Sequence, residues 1–171
     1  MKKIAVVALD PLAGASYTKE VRDLFGEYAE VVGYSVRDGS AAGVLPRAEL
    51  CAISTDAYGS AEEEARHVPI DSQIMSIEVT FYWETLKKLF EIPQGTKVLF
   101  VNVTSNMARE AITQLSSLGV NHLQFIPYYP GAVLEEPVDI AVTPGESRFV
   151  PPSVKTVIDC DHRPCSYGMM V

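Results

Sequence analysis

Six apolar residues in unbroken succession, Ile4-Ala5-Val6-Val7-Ala8-Leu9, leave the chain few folds to choose from. A run so short, with no polar face, reads as a strand covered on both sides. That is the signature of a parallel sheet flanked by other layers. Val98 to Val103 reads as a second buried strand in the other half of the chain.

The segments around these runs alternate in period. Ser16 is placed to cap a helix whose face carries Tyr17, Val21, Leu24 and Phe25, with Gly26 to stop it. Ala29 to Val36 and Leu50 to Ser54 read as strands, separated by a Gly- and Ala-rich stretch, 37–47, with room for one short helix. Asp56 to Val68, with Glu62-Glu63-Glu64, reads as a solvated helix. Ile74 to Val79 is a short strand. Thr80 then caps a helix with Tyr82, Leu86, Leu89 and Phe90 at i, i+4, i+7, i+8, and Ile92-Pro93-Gln94-Gly95 ends it.

After Val98–Val103, Ser105 or Asn106 caps a helix with Ala108, Ala111, Ile112, Leu115 and Leu118 on its apolar face and Gly119 as its stop. Leu123–Ile126, Val138–Val142 and Val154–Asp159 follow as strands. Strands and helices in this alternation predict an α/β fold of parallel βαβ units. The break at Gln94-Gly95 divides it into two lobes, 1–93 and 94–171, with no sequence repeat between them. Cys165 to Val171 reads as a cap and an apolar helical start, either a short closing helix or the point where a longer chain was cut.

A net charge of −8 and a pI near 4.8, with fourteen scattered Lys and Arg, argue against direct contact with nucleic acid or an anionic membrane. Met1-Lys2-Lys3 before the apolar run mimics a signal peptide, but the run ends in Asp10-Pro11 without a cleavage pattern and suits a buried strand better. No apolar stretch reaches membrane-spanning length. Cys51, Cys160 and Cys165 are odd in number, which fits a reducing compartment. The expectation is a soluble cytoplasmic protein.

Rigid turn chemistry follows two of the strands: Pro127-Tyr128-Tyr129-Pro130-Gly131 after one, Thr143-Pro144-Gly145-Glu146 after the next. In open α/β sheets ligands bind at the carboxyl ends of strands, so polar residues at strand exits are the candidate ligand contacts. They are Asp10 after the first strand, Thr55 and Asp56 after the third, Asn102, Thr104, Ser105 and Asn106 at the joint before the helix, Tyr128 and Tyr129, then Thr143 and Glu146. Amides at a helix start favour a carboxylate or phosphate, although Ser105 and Asn106 also suffice as plain caps. The tyrosines suit stacking on a ligand or packing on a neighbouring helix. Glu146 suits a ligand clamp or a surface ion pair with Arg148.

Cys160-Asp161-His162-Arg163-Pro164-Cys165 lacks the second ligand pair of a structural zinc site, so no metal is expected. The G-x-G-x-x-G spacing is absent and no cofactor is implied. Cys51 reads as a small core residue, and neither His67 nor His122 has a nucleophile nearby in sequence.

The stretch from Ile92 to Pro164, with VLFVNVTSNMAREAITQL, FIPYYPGA, VDIAVTPGESRFVP and VIDCDHRP, resembles the N-terminal sensory region of sigma-54-dependent transcriptional activators, of the propionate-regulator type. PIDSQIMSIEVTFYWETLKKL matches more loosely, so the likeness covers roughly Pro69 to Arg163. It implies two Rossmann-like lobes in a periplasmic-binding-protein-like arrangement, closing on a small effector to control a downstream PAS and AAA+ ATPase module, with possible homo-oligomers. Its pattern positions here are Asn102, Pro127 to Pro130, Thr143 to Glu146 and Arg163. The chain departs from the pattern at Cys160-Asp161-His162-Arg163, where the family has a glycine before the arginine, and at Cys165-Ser166-Tyr167, where the family opens an exit helix with a Ser-Thr pair. Phosphate-loop and helix-turn-helix motifs are absent from these 171 residues. Two rival expectations are a stand-alone racemase- or lyase-like enzyme using Cys51 and Cys160 as an acid/base pair, and a dimerisation module without a ligand.

Overall fold

Each apolar run becomes an inner strand of a four-stranded parallel sheet. In the computed structural model, which describes residues 2–166, β1 (Lys2–Ala8) lies between β2 (Ala29–Ser35) and β3 (Leu50–Ser54), and β4 (Gln73–Ile77) pairs with β3. The second sheet is built alike. Its β5 (Lys97–Val101) lies between β6 (Gln124–Tyr128) and β7 (Ile140–Thr143), with β8 (Thr156–Asp159) outside β7. The orders, β2-β1-β3-β4 and β6-β5-β7-β8, are one permutation used twice. The chain therefore holds two Rossmann-like lobes, duplicated in topology but not in sequence.

Burial explains the central strands. Val6, Val7 and Ala8 in β1 and Val98 to Val101 in β5 have no exposed surface. In the first sheet, Ile4 and Val6 pack with Val21, Tyr17 and Phe25 of α1 (Pro11–Phe25) on one face, while Ala5 and Val7 pack with Leu45, Ala57 and Val68 on the other. In the second, Val98 and Phe100 meet Leu86 and Leu89 of α3 (Trp83–Phe90) and Ala108, Ala111 and Leu115 of α4 (Ser105–Ser117). Leu99 and Val101 turn to Val138, Leu134, Phe149 and Val150, so loop segments cover that face.

Several expected boundaries move, each for a local reason. Helix α1 starts at Pro11, five residues before Ser16, because Asp10 Oδ1 accepts from Leu12 N at 2.9 Å and proline suits the first helical position. Thr104, rather than Ser105 or Asn106, caps α4, its Oγ1 accepting from Met107 N at 3.2 Å. Tyr82 occupies the cap position of α3 without a side-chain bond, so Thr80 does not serve there. The 37–47 stretch forms turns and no helix. The solvated helix shortens to α2 (Ala61–His67), capped by Ser60.

Strand β6 runs on through Pro127 to Tyr128. Gln124 N bonds Thr96 O and Tyr128 O receives Asn102 N, so alternate residues face β5 and Pro127 faces the free edge, where a missing N–H costs nothing.

The chain divides into two compact units at Val79/Thr80 rather than at 93/94. Leu86, Leu89 and Phe81 belong to the core around β5, so α3 is part of the second unit, and Gly95 at φ +80 only turns the chain between α3 and β5. The second unit ends at Arg163, and Pro164 to Ser166 return to the first, where Cys165 bridges Val79 in antiparallel fashion. The expected closing helix falls from Tyr167 onward, outside the described residues.

Arg163 fastens the end of the second unit to its interior. Its guanidinium, 8% exposed, donates to Gln114 Oε1 at 3.0 Å and Glu110 Oε2 at 2.8 Å, and lies 5.5 Å from the ring centroid of Phe81. Hydrogen bonds to charged groups contribute about 1.5–3 kcal/mol each. Arg163→Met is expected to cost about 2–3 kcal/mol in urea unfolding. Lys155→Ala, which breaks the exposed pair with Asp139, should cost less than about 1 kcal/mol. Equal effects would show that the Arg163 contacts contribute nothing special.

Candidate functional site

The strand order creates a crevice at the carboxyl edge of each sheet. In the second unit, β5 leads through α4 to β6 on one side, while β7 leads to β8 on the other. Neighbouring strands whose exits diverge leave a gap between their loops, the switch point where ligands of open α/β sheets bind.

Asn102 stands at this point. It follows β5 directly. Its N–H donates to Tyr128 O at 3.0 Å, and continuing the β5–β6 and β5–β7 registers sets it between Tyr129 and Pro144. The side chain is 2% exposed. Its Oδ1 accepts from Val103 N at 2.8 Å, while Nδ2 is buried with no hydrogen-bond partner among the described residues. Beyond it, α4 begins. Thr104 satisfies one of the free N-terminal amides, and those of Ser105 and Asn106 have no acceptor within the helix by position. Ser105 Oγ accepts from Arg109 Nε at 3.2 Å, and Asn106 is exposed.

Thr143, wholly buried, shapes the opposite wall. Its Oγ1 accepts from Glu146 N at 3.0 Å and its carbonyl accepts from Cys160 N at 2.9 Å. The turn reverses at Gly145, whose φ of +82 excludes most side chains. Asp159 braces it from β8, Oδ1 accepting from Gly145 N and Asp161 N at 2.9 Å each, Oδ2 from Ser147 Oγ at 2.5 Å. Glu146 pairs with Arg148 at 3.0 Å, and Arg148 lies 4.7 Å above the Phe149 ring. The pair is lopsided. The glutamate side chain is 12% exposed and the arginine 58%, so the cation is the more accessible partner.

Tyr128 is half-buried among Val101, Leu99 and Ile126, on the sheet face away from α4, and so packs on loop residues rather than on a helix. Tyr129 is half-buried beside Asn102 and opens the turn closed by Ala132 N on its carbonyl.

Asn102, Thr104, Ser105, Asn106, Tyr128, Tyr129, Thr143 and Glu146 thus gather at one edge of the second unit. Asp10, Thr55 and Asp56 lie at the corresponding edge of the first. There Asp10 caps α1 and sits 3.6 Å from Arg37, Thr55 is exposed in a turn, and Asp56 is half-buried. Sequence reasoning missed Asp159. Its partners lie 2 to 14 residues away in sequence, so no local pattern marks it.

Other reactive groups are tied down. Cys51 has no exposed surface, and Cys160 and Cys165 are buried. Burial raises the Cys51 thiol pKa and pushes those of Cys160 and Cys165 up to about 12. Neither Cys51 nor Cys160 has its thiol pKa lowered toward neutrality, as an acid/base pair would need. His122 Nε2 lies 3.1 Å from both Leu89 O and Ile92 O at the end of α3, and His67 Nδ1 is 2.7 Å from Gly43 O. Among the described residues no cluster of three His, Cys, Asp or Glu is arranged to hold a metal, and no helix is long and apolar enough to cross a membrane.

Comparison with known proteins finds no matching family model, no matching curated protein and no matching solved structure.

The thiol environment predicts a pH effect. A thiol that ionises near 9.0 when free and near 12 when folded keeps its proton longer in the native state. Stability from this source is therefore full below about pH 9 and falls as pH rises from there toward 12. Alkylation of native Cys160 and Cys165 at pH 8 should run about a thousandfold slower than that of a free thiol. Full labelling of either at the free-thiol rate would contradict the burial described.

Proposed function

We propose that this chain is a ligand-sensing regulatory domain, binding a small metabolite at the carboxyl edge of the second sheet. The observation that carries the reading is Asn102 Nδ2, a buried amide donor without a partner at a topological switch point. An unmet buried donor costs about 1–3 kcal/mol, and a ligand oxygen is the natural group to meet it. The start of α4 and the outward-lying Arg148 favour the same chemistry, an acceptor-bearing and anionic group such as a carboxylate or phosphate. Tyr129 supplies an aromatic wall beside it.

In this reading Asp159 and Thr143 position the Gly145–Glu146 turn, and Asn102 reads the ligand. Binding acts as a signal only if the ligand prefers one arrangement of the turn and of the joint before α4, since equal affinity shifts nothing. The output is control of a partner AAA+ ATPase module of the sigma-54-activator kind, which the resemblance of the Asn102, Tyr128-Tyr129 and Thr143–Glu146 segments supports.

A thermal-shift panel of small carboxylates and phosphates tests this. The expected hit stabilises the native chain by about 2.7 kcal/mol at a hundredfold excess over its Kd. Asn102→Asp, which keeps the acceptor for Val103 N but removes the donor, and Asn102→Ala should both abolish the shift. A ligand that stabilises all three proteins equally, or a panel without any hit, overturns the proposal.

A further inference from the structure

The outer edge of β2 is closed at both ends and open in the middle. Among the described residues β2 pairs only with β1, and the bond from Val36 N to Ala8 O at 3.0 Å sets the phase of the ladder. Val32 and Tyr34 bond inward with it, so Val31, Gly33 and Ser35 turn their N–H and C=O groups to the free side. At one end Arg22 Nη2 donates to Val31 O at 3.0 Å. At the other, Ser40 Oγ accepts from Ser35 N at 2.8 Å and donates to Ser35 O at 3.3 Å. The Gly33 N–H and C=O between them have no partner among the described residues.

A groove of about 320 Å³ lies against this stretch, between β2 and the N-terminal half of α1. Gly14 and Ala15 of α1 leave it roomy, and Arg22 and Asp38 bring opposite charges to its lining. Gly33 is obligatory here. A Cβ on it would sit 2.3 Å from Thr18 Oγ1, itself bonded to Gly14 O at 2.6 Å, so any side chain would force the buried Thr18 to shift and break that bond. Ser40 N donates to Asp38 Oδ1 at 2.8 Å, which keeps that carboxylate at the Ser35 end of the edge, and its hydrogen bonds to Ser40 hold its pKa below the ordinary carboxylate range.

The geometry points to a second binding site, for a short zwitterionic peptide lying antiparallel along β2 with one hydrogen bond between its peptide group and Gly33, its carboxylate toward Arg22 and its ammonium toward Asp38. Length supports this class. Val31 to Ser35 spans about 13 Å at about 3.3 Å per residue. A charge-assisted bond of about 2.8 Å at each end leaves about 7–8 Å, the reach of a dipeptide backbone. A longer strand would collide with Arg22 and Ser40, which shield the edge from extended pairing. A free amino acid has no peptide group to offer Gly33.

The test is a 1H–15N NMR titration of the full 171-residue chain with Ala-Ala, N-acetyl-Ala-Ala, Ala-Ala-amide and alanine. The expected result is a saturable shift of the Gly33 amide with Ala-Ala and none with alanine. Acetylation of the ligand and Asp38→Asn should each weaken binding about tenfold, the loss of one charge-assisted hydrogen bond, and should not add. Amidation and Arg22→Gln should form a second non-additive pair. Both side chains are on the surface, and unchanged resonances elsewhere will verify the fold of each variant. No saturable shift at Gly33, or binding indifferent to both variants, overturns the site, whatever the outcome at Asn102.

Discussion

The whole structure depends on one constraint: the first strand of each unit must be covered on both faces. Beyond the exposed Lys2, Lys3 and Lys97 at their starts, the side chains of β1 and β5 are wholly apolar, and burying a Val or Leu side chain contributes about 1.5–3 kcal/mol. A strand with two apolar faces needs a layer on each side and a neighbour on each edge. The chain meets this by sending its first crossover one way along the sheet and the rest the other way. Right-handed connections then put α1 on the Ile4 and Val6 face, and the Ala57 to Val68 segment on the Ala5 and Val7 face. The crevice at the carboxyl edge follows from this arrangement of connections. It is a by-product of burial before it is a site.

That order of causes explains what could be read from the residues. Ile4–Leu9 and Val98–Val103 carry their burial in their composition, so the fold class and the central strands were legible. Leu50–Ser54 was legible to the residue, being a short apolar run between polar turns. Helix starts were not, because Asp10, Ser16, Thr104, Ser105 and Asn106 are all chemically able to cap, and only the folded chain shows that Asp10 and Thr104 are the ones that do. The unit boundary was misread for a similar reason. Pro93-Gln94-Gly95 is a genuine turn, but ownership of α3 is decided by Leu86 and Leu89 meeting Phe100, a contact no turn signal encodes.

The candidate site divides along the same line. Residues at strand exits could be named from sequence, since strand ends and turn formers are local features. Their roles could not. Asp10 and Thr104 are occupied as caps, Ser105 holds Arg109, and Thr143 and Asp159 brace a turn from inside. Asn102 differs from them only in having one half of its amide satisfied, a property that exists only once β6 and β7 are in place on either side.

The duplicated frame sharpens the meaning of that half-satisfied amide. Val6 pairs with Ala52 on the α1 face as Phe100 pairs with Val142 on the α4 face, so carrying both registers forward makes Ala8 the counterpart of Asn102, and Ile53 that of Thr143. The same topology buries an alanine in the first unit where the second buries an asparagine. An apolar side chain is therefore compatible with this position, and nothing in the strand order requires an amide donor there. An unmet buried donor in such a place costs roughly 1–3 kcal/mol that alanine would not. Val103 N uses only the oxygen of Asn102, and a turn could satisfy that amide with a serine or an aspartate as well. What asparagine alone adds is a donor aimed away from its own backbone, and the proposed ligand site rests on that donor.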